Sequence, residues 1–151
     1  MNIVNTLHKI SHLKWVFLLA EIYLIFYAFT ISSQPENIVN TIGMLLLVAG
    51  IQLGLESLSD VKKMSQKEIK KYQERKNVKI QAKVIYFSIL ILAVISLLFF
   101  SLKFFGSERN KTMFNAFFSI GLNLWALILG LLCLLKNIYD KDAFAISQLK
   151  S

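Results

Sequence analysis

Four apolar runs, at residues 15–32, 38–58, 84–105 and 113–135, decide what this chain can fold into. Each is close to the roughly 20 residues that a helix rising about 1.5 Å per residue needs to cross a hydrocarbon core of about 30 Å. Lipid offers no water to a backbone N–H or C=O, so an unpaired group is costly, and a helix pairs them all within one segment. A transmembrane barrel would instead need shorter strands of alternating polarity, and the sequence has none. The expected fold class is all-α: a polytopic membrane protein whose 151 residues form a single four-helix transmembrane domain.

The charges fix how these runs are connected. Segment 60–83, DVKKMSQKEIKKYQERKNVKIQAK, carries nine Lys/Arg residues and separates the first two runs from the last two. The links within each pair, 33–37 and 107–112, are short, which predicts two hairpins joined by the basic segment. Of the 17 Lys/Arg residues, 14 lie in 1–14, 60–83 and 136–151; only Lys103, Arg109 and Lys111 fall at the other end. Because Lys and Arg accumulate in cytoplasmic loops, Asn2, Ser151 and the basic segment are expected in the cytoplasm and Glu36 and Arg109 outside. The location expected is the plasma (inner) membrane. The first run is long for a signal-peptide core and no small-x-small cleavage site ends it, so it is expected to stay as a helix. Topology thus accounts for the formal charge of +8 without nucleic acid, for which no aromatic stacking pattern is present.

Local signals refine the boundaries. Ser33 and Glu36 have capping-box spacing and Pro35 suits a first helical turn. Ser65 and Glu68 repeat the spacing ahead of Ile69 and Tyr72, which lie three apart among lysines. That pattern fits a short amphipathic helix on the membrane surface; equally, the second apolar helix could run on into water. The 136–151 stretch reads as mixed and polar, beyond the last span.

Within the spans, Glu21 is the costliest residue. It lies six positions past Trp15, about 9 Å inside the basic edge, where a carboxylate must face protein or water. Gln52 and Ser88 fall at similar depth, so Glu21, Gln52 and Ser88 are a candidate intramembrane polar site. Glu21 is expected to be protonated and to donate to Gln52 or a backbone carbonyl. Gly43, Gly50 and Gly54 share one face of the second helix, where small residues permit close backbone approach. In the fourth helix Asn115, Ser119, Asn123, Ala126, Gly130, Cys133 and Asn137 form one stripe at 100° per residue. Of these, Ser119, Asn123, Ala126 and Gly130 are expected at a helix–helix interface; the sharper reading is a pore or ligand-facing lining in an oligomer.

Other chemistry is weakly supported. His8 and His12 have a chelating helical spacing but no evident third ligand. Cys133 is the only cysteine. Asn110-Lys111-Thr112 fits a glycosylation acceptor, one chance match among nine Asn. The sequence contains no Ser/His/Asp set, glycine-rich phosphate loop or paired catalytic carboxylates, and no enzyme, metal or cofactor is expected. The basic residues from Lys62 to Lys83 could hold anionic lipid. The expected function is that of a small non-enzymatic membrane protein acting through association, with itself or with a partner membrane protein. Toxin immunity, or service as the membrane subunit of a defence or transport complex, fits that description. The alternative is a small oligomeric transporter or channel using Glu21.

Overall fold

A computed structural model describes residues 9–30, 35–58, 61, 64–73, 75–105 and 111–148. Five helices account for most of them: α1 Lys14–Thr30, α2 Pro35–Ser57, α3 Gln66–Gln73, α4 Arg75–Phe105 and α5 Lys111–Ser147. No strand occurs among the described residues. Four helices are long and apolar enough to cross a membrane. Asn2, Ser33, Lys62, Arg109, Asn110 and Ser151 lie outside the described residues, so the expectations resting on them do too.

Two boundaries differ from expectation. The fourth apolar run, expected to end at 135, continues as helix to Ser147, and the third begins nine residues early, at Arg75. Hydropathy marks where lipid ends, not where a helix ends. Past 135 the apolar stripe narrows but persists: Asn137, Ile138 and Ala145 are buried while Tyr139 and Asp140 are exposed, a spacing that keeps one face against its neighbours. At about 1.5 Å per residue, α4 and α5 reach roughly 46 and 55 Å, well beyond a core of about 30 Å.

The amphipathic helix between the halves is a separate element. Both arms of the Ser65–Glu68 capping box close: the Ser65 backbone N–H donates to Glu68 Oε2 at 2.8 Å and the Glu68 N–H donates to Ser65 Oγ at 3.3 Å. This pairing supplies acceptors to N–H groups that a helix start leaves orphaned. The helix α3 then packs mainly on α5 and less on α4, with Ile69 and Tyr72 half-buried and Lys67, Lys70 and Lys71 exposed.

The long helices form a layer in the order α1, α2, α5, α4. The most extensive packing is between α2 and α5, followed by α4 on α5 and then α1 on α2. Partner positions show the directions. Along α2 and α5 they rise together, Gly43 beside Asn123, Gly50 beside Ala126 and Gly130, Glu56 beside Asn137. Along α4 and α5 they run oppositely, Phe100 beside Phe118 and Ser96 beside Gly121. The helix α1 has no buried residue, and Phe29 at its far end is 78% exposed.

Backbone proximity explains why α2 and α5 lie at the centre. A Cβ at Gly50 would collide with the Ala126 carbonyl and lie 2.6 Å from the Leu127 nitrogen; one at Gly130 would collide with the Gly50 carbonyl. Only hydrogen fits at this crossing, which gives dispersion contact without a side chain to order. Gly43 sits farther along, its Cβ direction 2.9 Å from Asn123 Nδ2. The expectation for Gly54 is corrected: a Cβ there would meet nothing within 4 Å. One turn past the crossing, four residues at 100° rotate the position by about 40°, enough to carry it off the contact.

Candidate functional site

Polar side chains concentrate at the end of the layer that carries the basic segment. On α1, Lys14 and Glu21 are seven residues apart and so share a face; on α2, Gln52 and Glu56 are four apart and do the same. The two faces meet. Lys14 Nζ lies 3.6 Å from Glu56 Oε1 at the rim, and 5.7 Å above the Trp15 ring. Deeper in the seam, the Gln52 amide meets Glu21. With its nitrogen turned toward the carboxyl it donates to Oε1 at 2.6 Å and to Oε2 at 3.0 Å. That orientation serves an ionised carboxylate, which only accepts. Turned over, the amide presents its oxygen and serves a protonated carboxyl, which donates. The pair can therefore accommodate either form of Glu21 by a rotation of one amide.

Ser88 is not part of this pair. Its hydroxyl donates to the Val84 carbonyl at 2.9 Å, and the residue lines a groove between α4 and α5. Glu21, Gln52 and Ser88 share a depth, but depth does not specify neighbours. The layer order places α1 and α4 at opposite edges, so the three-residue cluster is not formed.

The fourth-helix stripe divides along its length. Asn123, Ala126 and Gly130 face α2, as does Asn137, whose Nδ2 donates to the Glu56 carbonyl at 3.4 Å. Ser119 is half-buried, and Asn115 and Cys133 are exposed. One further polar residue, Ser96, belongs to the interior: it is 0% exposed and donates to the Gly121 carbonyl at 3.0 Å across the α4–α5 seam. A lone hydroxyl in the run ILAVISLLFF is a signal in retrospect, since buried hydroxyls in lipid require an acceptor. Toward the far end the same seam is closed by Phe99 on Phe117, centroids 5.6 Å apart, and Phe100 on Phe118, 5.3 Å apart.

Two grooves open at the basic end. One, of about 400 Å3, is bounded by Glu56, Tyr72, Gln81, Asn137 and Lys141, drawn from all four of α2 to α5. Burial, then the nearby Glu68 and Glu56 charges, push the Tyr72 hydroxyl above its ordinary range. The Ser65 backbone N–H, then the Ser65 hydroxyl, hold the Glu68 carboxyl below its ordinary value, with Lys141 and Lys71 acting the same way. The other groove, of about 900 Å3, lies between α4 and α5. Among the described residues, no group of three His, Cys, Asp or Glu side chains has metal-binding geometry.

No protein family, curated protein or solved structure matches this chain.

Proposed function

We propose that this is a small integral membrane protein that acts by association, without catalysis, as two hairpins joined by a basic cytoplasmic segment. Both termini lie in the cytoplasm and the membrane is the plasma (inner) membrane; the asymmetry of Lys and Arg supports this orientation. A Cys placed at Lys70 should then resist membrane-impermeant reagents in intact cells, and strong external labelling would reverse the orientation.

The observation that carries the association reading is the distribution of polar and apolar surface. The membrane-depth polar groups Glu21, Gln52 and Ser96 are engaged within the chain. In contrast, α1 and α4 present broad apolar faces, including Leu19, Tyr23 and Phe26 on one and Phe87, Val94 and Leu97 on the other, all more than half exposed. An open layer with two such edges can bind lipid, a second copy or a partner membrane protein along its length. A toxin-immunity role, or that of a membrane subunit in a defence or transport complex, is compatible with this surface.

The alternative, a small oligomeric transporter or channel, is favoured by one feature: the Glu21–Gln52 pair suits both protonation forms. The readings separate in liposomes containing the full chain. Association predicts discrete cross-linked species in the membrane and no proton or cation flux that depends on Glu21. Flux abolished by Glu21→Gln in a protein that still folds would transfer the assignment to transport.

A further inference from the structure

The groove between α4 and α5 has the register of a phospholipid site. Lys83 is the last charge on α4 before an uncharged stretch through Leu102. The groove starts before that boundary, at Val78, and ends beyond it, at Leu90. The twelve helical steps from Val78 to Leu90 make it about 18 Å long. Its outer part carries Lys79 and Lys83, four apart on one face and both exposed, across from Asp142 on α5. Its inner part is walled by Phe87, Leu90 and Leu135. Charge at the mouth followed by an apolar floor is the order in which an amphiphile presents its head and tail at an interface. A volume of about 900 Å3 is at the upper part of the roughly 300–1,000 Å3 range of small-molecule sites. A transmembrane partner helix would instead need an apolar track of about 30 Å, free of lysines.

We propose that this groove binds one anionic phospholipid, its phosphodiester on Lys79 and Lys83 and an acyl chain along Phe87, Leu90 and Leu135. Two lysines and one aspartate leave a single positive charge at the mouth, which matches the single negative charge of phosphatidylglycerol and not the neutral headgroup of phosphatidylcholine. The site differs from general attraction of the basic segment to a charged leaflet, because it needs the groove as well as the charge. It rests on the reading that α4 crosses the membrane with its basic end at an interface, but its test is separate from that of association, since flux and cross-linking play no part in it.

The test uses the full chain in nanodiscs of equimolar phosphatidylglycerol and phosphatidylcholine, extracted into mild detergent and weighed by native mass spectrometry. One phosphatidylglycerol per chain should be retained in preference to phosphatidylcholine. Lys79→Gln together with Lys83→Gln should weaken retention by about twenty-five-fold, about five-fold per lysine. Lys67→Gln with Lys70→Gln, on exposed positions of α3, should leave it unchanged. Ser88→Trp, which fills the groove without altering its charge, should displace the lipid while helical circular dichroism is maintained. Equal retention of the two lipids, equal loss with the α3 pair, or retention that survives the Lys79/Lys83 pair would overturn the site. If Ser88→Trp does not fold, the two lysine pairs still decide, because all four side chains are exposed.

Discussion

The α2–α5 seam and the α1–α2 seam solve the same problem by opposite means. Between α2 and α5, glycine brings backbone against backbone at Gly50 and Gly130. Between α1 and α2, no residue of α1 is buried, and two polar pairs mark the contact: Lys14 with Glu56, Glu21 with Gln52. Lipid tails are as apolar as leucine, so apolar burial alone does not drive helices together in a membrane; close packing and interhelical hydrogen bonds do. The central seam relies on the first and the outer seam on the second. A seam of the first kind should fail sharply when volume is added, and one of the second kind should weaken in small steps.

The largest effect should therefore come from one methyl group at the crossing. Gly50→Ala is expected to cost at least the upper end of the ~1–3 kcal/mol typical of overpacking, measured by unfolding in mixed micelles. Gly54→Ala on the same helix should stay within about 0.5 kcal/mol, because its Cβ direction is open. Equal effects at the two positions would erase the distinction between crossing and flank.

Next in size is the outer seam. A double-mutant cycle of Glu21→Ala and Gln52→Ala should give a coupling of about 0.6–2 kcal/mol, the range for interhelical hydrogen bonds in lipid. Glu21→Gln should retain the fold, since an amide at that position can still donate. A coupling near zero would mean that α1 is held by something other than this pair. Ser96→Ala, which removes one neutral bond to Gly121, should cost about 0.6 kcal/mol and no more than about 1.7 kcal/mol.

The smallest effects belong to the exposed groups at the basic end. Lys14→Ala should change stability by about 0–1 kcal/mol, less at high salt, since its ion pair with Glu56 is half-exposed. Glu68 titrates lower in the fold than its ordinary value of 4.5. Its stabilisation of α3 is thus fully present above 4.5 and is lost as pH falls through the depressed folded value. Amide shifts of residues 65–73 in micelles should move away from helical values only on that acidification. Glu68→Gln should abolish the pH dependence; a transition unchanged in that variant would assign it to another group.

The contrast between the seams also shows where the sequence was legible. The four spans and the Ser65–Glu68 box could be read directly, because hydropathy and capping act over a few residues. Gly43, Gly50, Asn123, Ala126 and Gly130 were legible as small or polar faces in apolar helices, and they meet at one seam. The neighbour of a face is not legible in this way. Depth alone groups Ser88 with Glu21, and spacing alone groups Gly54 with Gly50, but neither sets which helix lies alongside. The order α1, α2, α5, α4 is a property of four helices at once, and no single periodicity encodes it. The extension of α5 to Ser147 is hidden for another reason: a narrow amphipathic stripe outside lipid looks like a polar tail to a hydropathy scale.

That layer order underlies everything proposed for the two exposed edges, and disulfide trapping tests it most directly. In a background with Cys133→Ala, the pair Glu21→Cys and Gln52→Cys should cross-link rapidly in the membrane under mild oxidation. The pair Glu21→Cys and Ser88→Cys should not cross-link within one chain, since α1 and α4 occupy opposite edges. Efficient intramolecular bridging between positions 21 and 88, with none between 21 and 52, would contradict the layer.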